Sequence, residues 1–116
     1  MSDAARVVEE VAAIIDGGEE SDAILRAAVE RLAADLGAGA GIRFVEEGAF
    51  AEGPWAGAPG ERAAEVPIRY EDDVVAELVA SAPLDDARRG AWERVADLLG
   101  PYCLVGWDIG GEDWEP

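Results

Sequence analysis

Residues 65–81, EVPIRYEDDVVAELVAS, limit what this chain can fold into more than any other stretch. Val66, Ile68 and Tyr70 alternate with Glu65, Pro67 and Arg69. After Glu71-Asp72-Asp73, Val74, Ala76, Leu78 and Ala80 alternate with Val75, Glu77, Val79 and Ser81. Period-two alternation rich in β-branched residues is the pattern of half-buried antiparallel strands. The acidic turn lacks the Asn-Gly or Asp-Gly pair of a two-residue hairpin, which predicts a loop of three or four residues.

The flanking segments supply what such a hairpin must pack against. Val7, Val8, Val11, Ile14 and Ile15 recur at helical spacing and predict a helix over 3–16, N-capped by Ser2 and stopped by Gly17-Gly18. Leu25, Ala28, Val29, Leu32 and Leu36 predict a second helix over 22–36, with Ser21 as N-cap and Gly37 as terminator. A strand is expected over 41–47, a turn at Glu46-Glu47-Gly48, and a weaker strand over 49–55 broken by Gly53-Pro54. AGAPGER, residues 56–62, reads as a breaker-rich loop. Asp85 is the expected N-cap of a closing helix carrying Trp92, Val95, Leu99 and Tyr102, kinked at Pro101 and resuming to Trp107. Two helices, a hairpin, a loop, a second hairpin and a closing helix make an α+β domain. Its antiparallel sheet has four or five strands, with the N- and C-terminal helices in one layer. Residues 1–109 are expected to form one domain and 110–116 an acidic tail.

Charge narrows the partners. Twenty-six acidic residues face nine cations, all arginine, for a net charge of −17. Such a surface repels phosphate backbones and anionic lipid, so neither nucleic acid nor membrane is expected as a partner. There is no histidine, and Cys103 is the only cysteine, which excludes an internal disulfide and a cysteine zinc site. No metal, cofactor or catalytic residue is expected. The N-terminus carries no signal-like apolar run, and the expected location is cytoplasmic.

At three points the chain resembles the GAF sensory domains: the helix DAILRAAVERLAADL, the strand GIRFV, and AEVPIRYEDDVVAELVASAP leading into the closing helix. The resemblance spans Ser21 to Trp107. It implies helices on one side of the sheet, a ligand held on the other, and pairing of two copies through the helical layer. In the family a long segment with short helices caps the ligand. Here only residues 56–64 occupy that place, which predicts an open face without a closed pocket. GPWAG, residues 53–57, is similar to the strand end of free methionine-(R)-sulfoxide reductases. Those enzymes keep their reactive cysteines in the segment that is short here, so the chain is expected not to be an enzyme.

The mixed sheet face, set by Arg43, Val45, Glu65, Pro67, Arg69, Val75, Glu77, Val79 and Ser81, has two readings. It is a solvated face with cross-strand Arg–Glu pairs. Alternatively, Arg43, Trp55, Arg69, Val75 and Glu77 form an open surface for a protein partner or, in a shallow pocket, a small anionic ligand. Asp72-Asp73 and Asp85-Asp86 read as turn and cap residues, and Cys103 as a buried apolar side chain. Wide apolar stripes on the first and last helices predict a homodimer through Val7, Val11, Ile14, Trp92 and Trp107. The expected role is a non-catalytic regulatory or protein-interaction domain.

Overall fold

A computed structural model describes residues 3–46 and 49–103. Three helices, α1 (Asp3–Asp16), α2 (Ser21–Leu36) and α3 (Asp86–Leu99), accompany four strands. These are β1 (Ala40–Glu46), β2 (Ala49–Ala56), β3 (Ala64–Tyr70) and β4 (Asp73–Ala80). The sheet is antiparallel in the order β2-β1-β4-β3. α2 packs on β1 and β2, α3 mainly on β3, and α1 lies across α2 and α3. No described helix is long and apolar enough to cross a membrane.

The helices start and stop for local reasons. Asp85 caps α3, its side chain accepting the Arg88 amide at 2.8 Å. α2 begins one residue earlier than its sequence suggests. Ser21 is already helical and Glu20, extended at φ −67°, occupies the cap position without a side-chain bond. Gly37, at φ 73°, ends α2 in the left-handed conformation that glycine adopts without strain. α3 ends before Pro101, which has no N–H to continue the ladder, and the chain tightens into a 3₁₀ turn over Gly100–Cys103. Ser2, the Glu47-Gly48 part of the first hairpin turn, Trp107 and the 110–116 tail lie outside the described residues.

The core explains the wide stripes on the outer helices. Val7, Val11 and Trp92 are fully buried in the chain's own core, with Leu25, Leu32, Ile42, Ile68 and Leu78. Their proposed place in a dimer interface is therefore corrected: no apolar surface remains on them to offer a second copy. Ile14 is half-buried against the same core. Arg88 fastens the start of α3 to the end of α2, its Nε donating to the Asp35 carboxylate at 2.9 Å and Nη2 to the Asp35 carbonyl at 3.2 Å.

Two irregularities reset the sheet faces. Ile68 pairs with Ala76 but Arg69 with Val74, so Val75 is an extra residue in β4. Val75 turns inward and is 1% exposed; its assignment to the open face is corrected, and half-buried Val74 stands opposite Arg69 instead. In β2, Gly41 pairs with Trp55 and Arg43 with Glu52, which accommodates Gly53-Pro54 as a bulge and keeps the strand continuous. β2 is an edge strand, where a proline without an N–H costs least. The β3–β4 turn also departs from expectation. Tyr70 pairs with Asp73, leaving Glu71 (φ 51°) and Asp72 (φ 76°) as a two-residue turn with both residues at positive φ.

Candidate functional site

The sheet face opposite the helices carries the charged residues. Arg43 stands at the middle of a cross-strand row, directly opposite Glu52 on β2 and Glu77 on β4. One cation thus lies between two carboxylates. It chooses Glu77: Nη2 donates to Oε1 at 2.5 Å, with both side chains largely covered. The guanidinium also stacks 4.1 Å from the centroid of the Phe50 ring. Its Nε is buried without an acceptor and is closed to a ligand as it is to water.

Trp55 is held by two glycines. A Cβ on Gly39 would strike Cζ2 of the indole, and one on Gly41 would strike Cε3, so the ring lies across the β1 backbone. A large aromatic covering glycine on the neighbouring strand recovers packing that the missing side chains forfeit. Trp55 remains 40% exposed, and Phe50 on the same strand 49%.

The 57–63 segment crosses the end of the sheet from β2 to β3. It spans three strand spacings, about 14 Å, well within the roughly 23 Å that seven extended residues can cover. Gly57, at φ 82°, starts the crossing, and Gly60 passes so close to Ser81 that a Cβ there would come within 3.2 Å of the Ser81 Cβ. Ser81 in turn accepts the Gly39 amide at 2.8 Å through Oγ. The segment contains no helix, as its length predicts, yet its Gly60 and Arg62 edge an open hollow. This cavity of about 180 Å³ is lined by Gly41, Ile42, Arg43, Glu52, Trp55, Gly60, Arg62 and Val79. A larger, shallower depression of about 450 Å³ beside α2 has Glu30 as its one charged side chain among alanines and glycines. The smaller hollow has the convergent polar groups that a ligand site requires.

Of the residues singled out from sequence, Arg43 and Trp55 line this hollow and Glu77 holds Arg43. Arg69 lies on the far edge strand and does not line it. Glu52 and Arg62 are not among those residues; alternation with Phe50 is the signal that places Glu52 on this face, whereas Arg62 comes from a loop without periodicity. Arg62 is paired, its Nε 2.9 Å from Glu65. Cys103 lies outside the hollow and is fully buried, and burial pushes its thiol up to about 12. At neutral pH it is a thiol and not a nucleophilic thiolate. Among the described residues no cluster of three or more acidic or cysteine side chains could hold a metal.

No protein-family model matches the chain, and no curated protein matches it. Solved structures do. The chain is similar to fRMsr of Staphylococcus aureus, solved in complex with substrate, at 16% identity and a TM-score of 0.73 over 89% of this chain and 97% of that one. It is also similar to the GAF domain of an Acinetobacter phosphoenolpyruvate-protein phosphotransferase, at 15% identity and a TM-score of 0.72 over 97% and 100%. The fold is GAF-like, α+β with a four-stranded antiparallel sheet. The expectation that the chain is not an enzyme is corrected by the first likeness. fRMsr is a methionine sulfoxide reductase, so this fold also carries catalysis.

Proposed function

We propose that the chain is a ligand-binding regulatory domain that takes a small polar molecule in the hollow between Arg43, Glu52, Trp55 and Arg62. The observation that carries this reading is the hollow itself. It is bounded by a fixed aromatic, two arginines and a carboxylate, on the face away from the helices. Its volume of about 180 Å³ is below the ~300–1,000 Å³ of sites for drug-sized ligands, which points to a small metabolite. The GAF-like fold supports the reading because ligand-binding and regulatory domains share it.

The test is a thermal-shift screen of the full chain against amines, amino acids, organic acids and nucleotides. A hit is expected to raise Tm saturably, and Trp55→Ala to abolish the shift. If no compound raises Tm, or hits are untouched by changes at Trp55, the reading fails.

A second reading, regulation through a protein partner, is favoured by the two exposed aromatics on edge strand β2, Phe50 and Trp55. Phe50→Ser would then weaken partner capture while leaving small-molecule Tm shifts intact; the reverse pattern would rule this out.

A further inference from the structure

The sequence invites an anionic ligand, because arginines line the open face. The geometry points to the opposite charge: we infer that the hollow takes a small organic cation, an amine or quaternary ammonium, on the exposed face of Trp55 with Glu52 as its counter-charge. This inference rests on the proposed ligand site and names the ligand class.

Both arginines of the hollow are already engaged. Arg43 is bonded to Glu77 and stacked on Phe50, and Arg62 is paired with Glu65. Glu52 is left over. It lines the hollow and faces Arg43 across the strands, but no described arginine pairs with it. Each arginine of the hollow is therefore balanced by a carboxylate of its own, Glu77 for Arg43 and Glu65 for Arg62, and Glu52 is the lining charge left without a described counterpart. The chain's net charge of −17 adds a long-range field that concentrates cations and depletes anions at low salt.

The aromatic surface completes the chemistry. The face of an indole attracts a cation through its quadrupole, more strongly than a phenyl ring does. This face of the sheet already uses that attraction once, where the Arg43 guanidinium stacks on Phe50. Trp55 follows Phe50 and Glu52 along the same strand, held across Gly39 and Gly41, with its outer surface toward solvent. A compact ammonium with a few methyl groups matches the volume, the exposed ring and the single unpaired carboxylate together.

The experiment follows the Trp55 indole N–H resonance in the full chain, assigned by its absence in Trp55→Phe. Tetramethylammonium chloride, sodium acetate and sodium chloride are titrated at equal ionic strength. Tetramethylammonium is expected to shift the resonance saturably, sodium chloride not at all, and Glu52→Gln to weaken binding about 3- to 10-fold. Saturable binding of acetate with no response to tetramethylammonium overturns the cation inference and leaves the ligand site standing. Equal tetramethylammonium affinity in Glu52→Gln also overturns it. Silence to both probes, if the thermal-shift screen is silent too, removes the site and the inference together.

Discussion

Arg43 on β1 and Glu77 on β4 face each other across a strand pair and close an ion pair at 2.5 Å in a largely covered setting. This geometry decides what the face can do. A covered pair is worth more than a surface one, and removing one member leaves the other charge poorly solvated. Arg43→Ala would leave Glu77 and Glu52 flanking an empty row. It is expected to destabilise the fold by about 1–3 kcal/mol, and Glu77→Gln by somewhat less. A double-mutant cycle by urea denaturation should return a coupling of about 1 kcal/mol or more. Coupling near zero would mean the pair does not lock the guanidinium, and Arg43 would be free to meet an anion.

The seat of Trp55 predicts a second coupling. Gly41→Ala drives a methyl group into the indole and within 3.0 Å of the Pro54 carbonyl. The expected cost is about 1–3 kcal/mol, with a displaced Trp55 resonance. In a Trp55→Ala background the clash with the ring disappears and part of that cost is recovered. Additive effects of the two changes would show that the ring does not lie across Gly41.

Much of this architecture is legible in the residues. The Asp85 cap, the limits of α1, and the alternation of β3 follow from short-range rules that tertiary contacts did not override. The open face was harder to read because a single extra residue inverts every assignment beyond it. At the β4 bulge Val75 is buried and Val74 stands opposite Arg69, and nothing in DVVAELVA signals where the extra residue falls. The stripe through Val7 and Val11 was also ambiguous. Periodicity shows that a helix face is apolar, but α2 and α3 decide that the chain itself covers it. Arg62 enters the site only because its loop folds back over the sheet, a long-range event.

The β3–β4 turn carries strain that can be removed. Glu71 and Asp72 both adopt positive φ, which costs a non-glycine residue roughly 1–2 kcal/mol, less for aspartate. Replacing the pair with Asn-Gly suits the backbone already present. The double substitution is expected to stabilise the domain by about 1 kcal/mol and raise Tm by several degrees. An unchanged or lower Tm would indicate that the turn is not held in this conformation.

Cys103 links burial to alkaline stability. Desolvation moves its thiol from 9.0 to about 12, so the folded chain keeps a proton that the unfolded chain loses first. Between these values the folded state binds more protons, and stability falls as pH rises. The slope from this group is at most about 1.4 kcal/mol per pH unit. Below pH 9 both states are protonated and the contribution vanishes. Cys103→Ala should therefore lose less stability than the parent chain between pH 9 and 11 in urea titrations, after correction for the packing cost seen at pH 7. In the parent chain, reaction with a thiol reagent at pH 7 should track global unfolding. Fast labelling under native conditions, or identical alkaline slopes for both proteins, would show that the thiol is not sealed in the core.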